Sequence, residues 1–129
     1  MQQQVLAAAA QLVDAFARHD TAAYFAAFAP EASFVFHTSA QRLDSRAAYQ
    51  ALWQQWERDY GFRVQRCNSS QQQVQLLGEV AIFTHHVDTV IAGFEGEQQL
   101  QERETIVFQR QADGAWLAVH EHLSPLPAA

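Results

Sequence analysis

The apolar periodicity of this chain changes once, near residue 62, from helical spacing to strict alternation, and no other feature limits the fold as much. Before the switch, Val5, Leu6, Ala9, Leu12, Val13 and Phe16 recur at three- and four-residue intervals, which makes one apolar face of a first helix. His19 and Asp20 break it. Asp20 can accept from the first free amides of a short second helix carrying Tyr24, Phe25 and Phe28, which Pro30 prevents from continuing. Ala32 to Thr38 has the β-branched and aromatic content of a short strand. Asp44 or Ser45 can cap a third helix whose Tyr49, Leu52, Trp53 and Trp56 form a stripe, and Gly61 ends it.

After the switch the chain reads as strands. Phe62 to Cys67 and Gln73 to Leu77 are two strands, or one long strand bent at Asn68, Ser69 and Ser70. Gly78 and Glu79 turn the chain into Val80 to Ala92, and Gly93 to Gly96 turn it again into a strand ending near Gln111. Asp113 and Gly114 supply the positive φ of a hairpin leading into Ala115 to Leu123. Helices come first, then antiparallel strands with no crossover helices between them, which is α+β and not a parallel-sheet fold. The 129 residues suit one domain over 1–129.

Composition removes several functions. The formal charge of −6 opposes binding to nucleic acid or an anionic membrane. All eight basic residues are arginine, so neither a Schiff-base lysine nor the lysine of a P-loop exists. Cys67 is the only cysteine, which rules out an intrachain disulfide or thiolate cluster, and its strand-like setting suits a structural thiol. The alanine-rich start lacks a basic leader region, no stretch has the length of a membrane span, and a cytoplasmic location is expected.

Two segments carry a family likeness. Asp20 to Phe34 resembles the second helix and first strand of the SnoaL-like, nuclear transport factor 2-like superfamily. Asp113 to Pro125, with its Trp116 and the run His120, Glu121, His122, resembles the last strand shared by SnoaL-like proteins and the calcium/calmodulin-dependent protein kinase II association domain. Leu43 and Asp44 with Tyr49, Leu76 to Gly78, and Glu104, Thr105 and Val107 fit the same domain. The resemblance implies a cone-shaped, curved antiparallel sheet with three N-terminal helices across its concave face, an open pocket, and dimers or larger rings formed through the outer sheet face. It also implies which positions line the pocket. The association domain's tyrosine falls on Tyr49 with Arg46 beside it, while its three arginines fall on His86, Ile106 and Leu123, so its cationic pocket is absent. The base and tyrosine positions of ketosteroid isomerase fall near Phe36 or His37 and near Leu12, so that catalytic set is absent too.

With faces chosen by the resemblance, the period of two then sorts the strands. If His86 faces the pocket, so do Thr84 and Asp88; Glu104, Ile106 and Phe108 follow on the next strand, and Val119, Glu121 and Leu123 on the last. The expected site is therefore Arg46, Tyr49, Trp53, His86, Asp88, Glu104, Ile106, Glu121 and Leu123. Carboxylates beside a histidine shift one another's pKa, as an acid–base site requires, and they equally suit hydrogen-bonded strand residues at a wet pocket mouth. Tyr49, Trp53 and Trp56 suit a core as readily as a ligand box. His120 and His122 share one strand face, but His85 is the only third donor in view, and no metal or other cofactor is expected. The outer face would present Phe83, Val87, Val107, Trp116 and Ala118, and that apolar surface predicts a homodimer. The functions that fit are a pocket for a small, partly hydrophobic molecule; a lyase, isomerase or hydrolase using His86 and a carboxylate; and an oligomerisation module.

Overall fold

A computed structural model describes residues 1–127. The elements run α1 (Gln2–Ala17), α2 (Thr21–Ala26), β1 (Phe28–Phe36), α3 (Arg46–Tyr60), β2 (Arg63–Leu77), β3 (Val80–Ala92), β4 (Gln98–Arg110) and β5 (Trp116–Pro125). Local chemistry sets the helix ends. The Asp20 carboxylate accepts from the Ala23 amide at 3.2 Å, and the Ser45 hydroxyl accepts from the Ala48 amide at 3.0 Å. Gly61, at φ +66°, ends α3 in the left-handed conformation. Phe28 belongs to β1, not to α2 as expected, so β1 starts before Pro30, which sits exposed within the strand.

The five strands form one open, curved sheet in the order β1-β5-β4-β3-β2. All neighbours are antiparallel except the β1–β5 pair, which is parallel because the chain returns from the far edge of the sheet to lie beside its first strand. β2 is a single strand, kinked between Ser70 and Gln73, where Gln71 takes φ +54°. Helices α1 and α3 cover the concave face, and the core lies between, built on Trp53, Tyr24, Phe28, Phe34, Phe83 and Phe108.

Register overturns two face assignments. On β3 the direct partner of Glu104 is His85, and His86 pairs with Arg103. Directly paired residues share a face, so His85 points inward with Phe83, Val87 and Thr89, while Thr84, His86 and Asp88 point outward. On β5 the pairing skips Val119, since Val107 meets His120 and Phe108 meets Ala118. This one-residue bulge puts Trp116 and Ala118 on the concave face together with Glu121 and Leu123. Four of the five apolar residues assigned to the outer face (Phe83, Val87, Trp116 and Ala118) are therefore buried core, and Val107 alone lies outside.

Candidate functional site

Between the helices and the sheet remains a cavity of about 320 Å³. Its walls are aromatic: Phe16 from α1, Trp53 and Trp56 from α3, Phe62, and Phe94 from the β3–β4 turn. The acidic side of the cavity carries Glu102 and Glu104 from β4 and Glu121 from β5, with the phenols of Tyr24 and Tyr49 nearby. Alternation places Glu102 and Glu104 on one face, and the β4–β5 register, with Glu104 opposite Leu123 and Ile106 opposite Glu121, puts Glu121 on the same face.

The carboxyl groups of Glu104 and Glu121 stand on the same face of neighbouring strands, both buried and both at the cavity, and each acts on the protonation of the other. Burial pushes Glu104 up to about 8 and Glu121 well above the ordinary carboxylate range, and the Glu104 charge raises Glu121 further. Both carboxyls are therefore protonated at neutral pH. The Tyr24 hydroxyl reaches Glu121 Oε2 at 3.5 Å and Tyr49 Oη at 3.0 Å. Burial raises both phenols, with the Glu121 charge adding to it, so both keep their protons.

A second layer braces the acids. His85 is 1% exposed, and its Nε2 lies 2.6 Å from Glu104 Oε1. Its Nδ1 lies 2.6 Å from the Ser69 hydroxyl, which accepts from the Gln72 amide at 2.9 Å. Burial lowers the His85 pKa to about 4, so at neutral pH the ring is uncharged. When Glu104 is ionised, His85 donates from Nε2 and accepts from Ser69 at Nδ1. His37 holds Glu102 in the same way, Nε2 to Oε2 at 2.5 Å. Cys67 borders the cavity with its thiol pushed by burial to about 11, which makes it a poor nucleophile.

Of the nine expected site residues, Tyr49, Trp53, Glu104, Glu121 and Leu123 border the cavity. The other four do not. The Arg46 guanidinium donates to the Phe28 carbonyl at 2.9 Å. Ile106 is fully buried in the core beyond the cavity wall. His86 and Asp88 stand on the opposite sheet face, where Asp88 accepts from Gln99 at 2.9 Å. Sequence reasoning missed Tyr24, His37, Ser69, His85 and Glu102. Glu102 was within reach, because it stands two residues from Glu104 on a regular strand. Outside the cavity, the His120 and His122 rings lie 6.3 Å apart, and His120 Nδ1 meets the Ser33 hydroxyl at 2.8 Å. Among the described residues no three His, Cys, Asp or Glu side chains are grouped to hold a metal ion.

No curated protein matches the chain in sequence. Several solved structures share its fold. An NTF2-like protein of unknown function in nutrient uptake from Rhodospirillum rubrum is 17% identical with a TM-score of 0.81, over 95% of this chain and 98% of that one. A Xanthomonas campestris protein named for a calcium/calmodulin dependent protein kinase II association domain is 19% identical with a TM-score of 0.79, over 100% and 90% of the two chains. A Catenulispora acidiphila protein in complex with S-DNPA is 14% identical with a TM-score of 0.77, over 95% and 90%. The model of the SnoaL-like domain matches residues 5–129, and this chain therefore belongs to the SnoaL-like domain family.

Proposed function

We propose that this domain binds a small, largely apolar molecule whose single polar end lies against Glu104 and Glu121. One observation carries the reading: two neighbouring buried carboxyl groups, those of Glu104 and Glu121, open into an aromatic cavity of about 320 Å³. A volume near the lower end of the ligand-pocket range suits a compact guest, and mostly apolar walls with a few convergent polar groups are the usual make-up of such sites. The likeness to a fold neighbour solved with S-DNPA is consistent with this use of the fold. A thermal-shift screen of compact aromatic compounds tests the proposal against Leu100→Trp. Leu100 is a half-buried cavity residue whose enlargement fills the space without overpacking the core. Binding that disappears in a folded Leu100→Trp variant supports the cavity; binding that persists there refutes it.

A second reading, acid–base turnover of the bound molecule, is favoured by two adjacent buried carboxyls whose mutual repulsion separates the loss of their two protons. A carboxylate in contact with a neutral acid supplies a base and a donor in one site. In that case His85, not His86, is the histidine that supports the base. We further propose that the chain pairs with a second copy through the outer sheet face. Support comes from Val35, Ile82, Val90, Val107 and Val119, all half-buried on that side in one chain.

A further inference from the structure

Among the described residues, every ionisable side chain that borders the cavity is an acid: Glu102, Glu104, Glu121, Tyr24, Tyr49 and Cys67 line it, and no arginine or histidine there does. The two histidines that touch these carboxyls do so from behind the cavity wall, each holding one oxygen: His85 binds Oε1 of Glu104, and His37 binds Oε2 of Glu102. Glu121 has no such brace. It is 2% exposed, it faces the cavity, and its neighbours are a long 3.5 Å bond from Tyr24 and a second carboxyl, with no cation in contact among the described residues. A buried carboxyl beside another carboxyl lacks compensation for its charge, and nothing on the protein side supplies it. The rings of Trp53, Trp56, Phe62 and Phe94 line the same space, and an aromatic face attracts a positive charge. The chain's formal charge of −6 draws cations toward it and repels anions.

Resting on the cavity reading above, we propose that the polar end of the guest is a protonated amine, and that the domain is a receptor for small hydrophobic amines seated against Glu104 and Glu121. An ammonium donates to both carboxyls, replaces a proton they hold, and presents its remaining N–H to Tyr24 or Tyr49. Because burial and mutual repulsion keep the empty pair protonated, amine binding expels a proton. A guest with a neutral oxygen acceptor needs the opposite: it must be met by the protonated pair. The two guests therefore give pH dependences of opposite sign. The groups that set this dependence are Glu102 and Glu104 on β4, Glu121 on β5, His85 on β3, Cys67 on β2, Tyr24 on α2, Tyr49 on α3 and His37 after β1.

The test is calorimetric titration of the intact chain with three probes on one skeleton: 2-naphthylmethylamine, 2-naphthylmethanol and 2-naphthoate. The amine is expected to bind at least about tenfold more tightly than the alcohol, with naphthoate weakest, as a charge-assisted bond to a buried carboxylate requires. Between about pH 6 and about pH 8 the amine affinity is expected to rise about tenfold or more, with heats that vary with the ionisation enthalpy of the buffer. Glu121→Gln is expected to lower amine affinity at least about tenfold and to lower alcohol affinity by a clearly smaller factor, since the new amide still donates. Glu104→Gln serves as the second variant, and melting curves establish that each is folded. Alcohol binding as tight as amine binding, or amine affinity falling as pH rises, overturns the amine assignment while leaving the cavity reading intact. Amine binding that Leu100→Trp leaves unchanged, or no binding of either the amine or the alcohol, overturns both.

Discussion

The buried pair makes a stability prediction that depends on no ligand. Glu104 moves from an ordinary 4.5 to about 8 on folding, so between those values the folded chain holds a proton that the unfolded chain has released. Stability from this group is complete below about pH 4.5 and is lost as pH rises toward about 8. His85 works in the opposite sense: its pKa falls from 6.5 to about 4, so its contribution is lost as pH falls through that interval. Above pH 6.5 only the carboxyls act. From 6.5 to about 8, at roughly 1.4 kcal/mol per pH unit and per proton, Glu104 alone removes about 2 kcal/mol. Glu121, held protonated across the same interval, makes the fall steeper. For a chain of this size that is a drop in Tm of at least about 6 °C. Glu121→Gln replaces the carboxyl with a permanently neutral amide, which can donate to Glu104 and accept from Tyr24. Melting followed by near-ultraviolet circular dichroism across this range should show both proteins losing stability with rising pH, the variant less steeply, because it keeps the Glu104 contribution and lacks that of Glu121. A wild-type Tm that stays flat or rises from about pH 6.5 to about 8.5, or a variant with the same slope, would refute the protonated pair.

Further substitutions separate particular contacts. His85→Ala removes a buried ring and leaves the Ser69 hydroxyl and Glu104 Oε1 without their partner, so chemical denaturation should show a loss of roughly 2–4 kcal/mol. His86→Ala, on the half-exposed outer face, should change the chain's own stability by less than about 0.5 kcal/mol. Gly93→Ala should destabilise by at least about 1–3 kcal/mol, because φ is +98° and the new Cβ would stand 2.7 Å from the Tyr60 carbonyl oxygen; Gly96→Ala, with open space around it, should cost less. Light scattering at micromolar concentration should give about twice the 14.5 kDa chain mass, and Val107→Glu should shift it toward monomer, since a charge would be buried at the proposed outer-face contact.

What could be read in advance was whatever depends on neighbours along the chain. The three helices, the caps at Asp20 and Ser45, the stop at Gly61 and the change of period at β2 all follow from residues within one or two turns of each other. Even so, Phe28 fell outside the helix assigned to it, because pairing with Ala118, ninety positions later, draws it into β1. Glu104, Glu121, Tyr49 and Trp53 were found because each lies on a regular stretch whose inward face the alternation or the helical stripe already marks.

The rest depended on relations between strands. A period of two leaves the choice of face open at every strand, and one residue of slip reverses it completely. Read by itself, β3 serves His85 and His86 equally well; the pairing of His85 with Glu104 decides between them. On β5 a single unpaired residue, Val119, lets Trp116 and Glu121 share a face that simple alternation assigns to opposite sides. The carboxyl pair depends on the β4–β5 register, which sets Glu104 opposite Leu123 and Ile106 opposite Glu121, a relation between strands that no local pattern encodes. The amino-acid sequence by itself determined the order of elements, the family and the supply of acids, aromatics and histidines. Tertiary structure alone decided which of them meet, because hydrogen-bond register between strands, and not propensity within them, sets the side of the sheet on which each side chain stands.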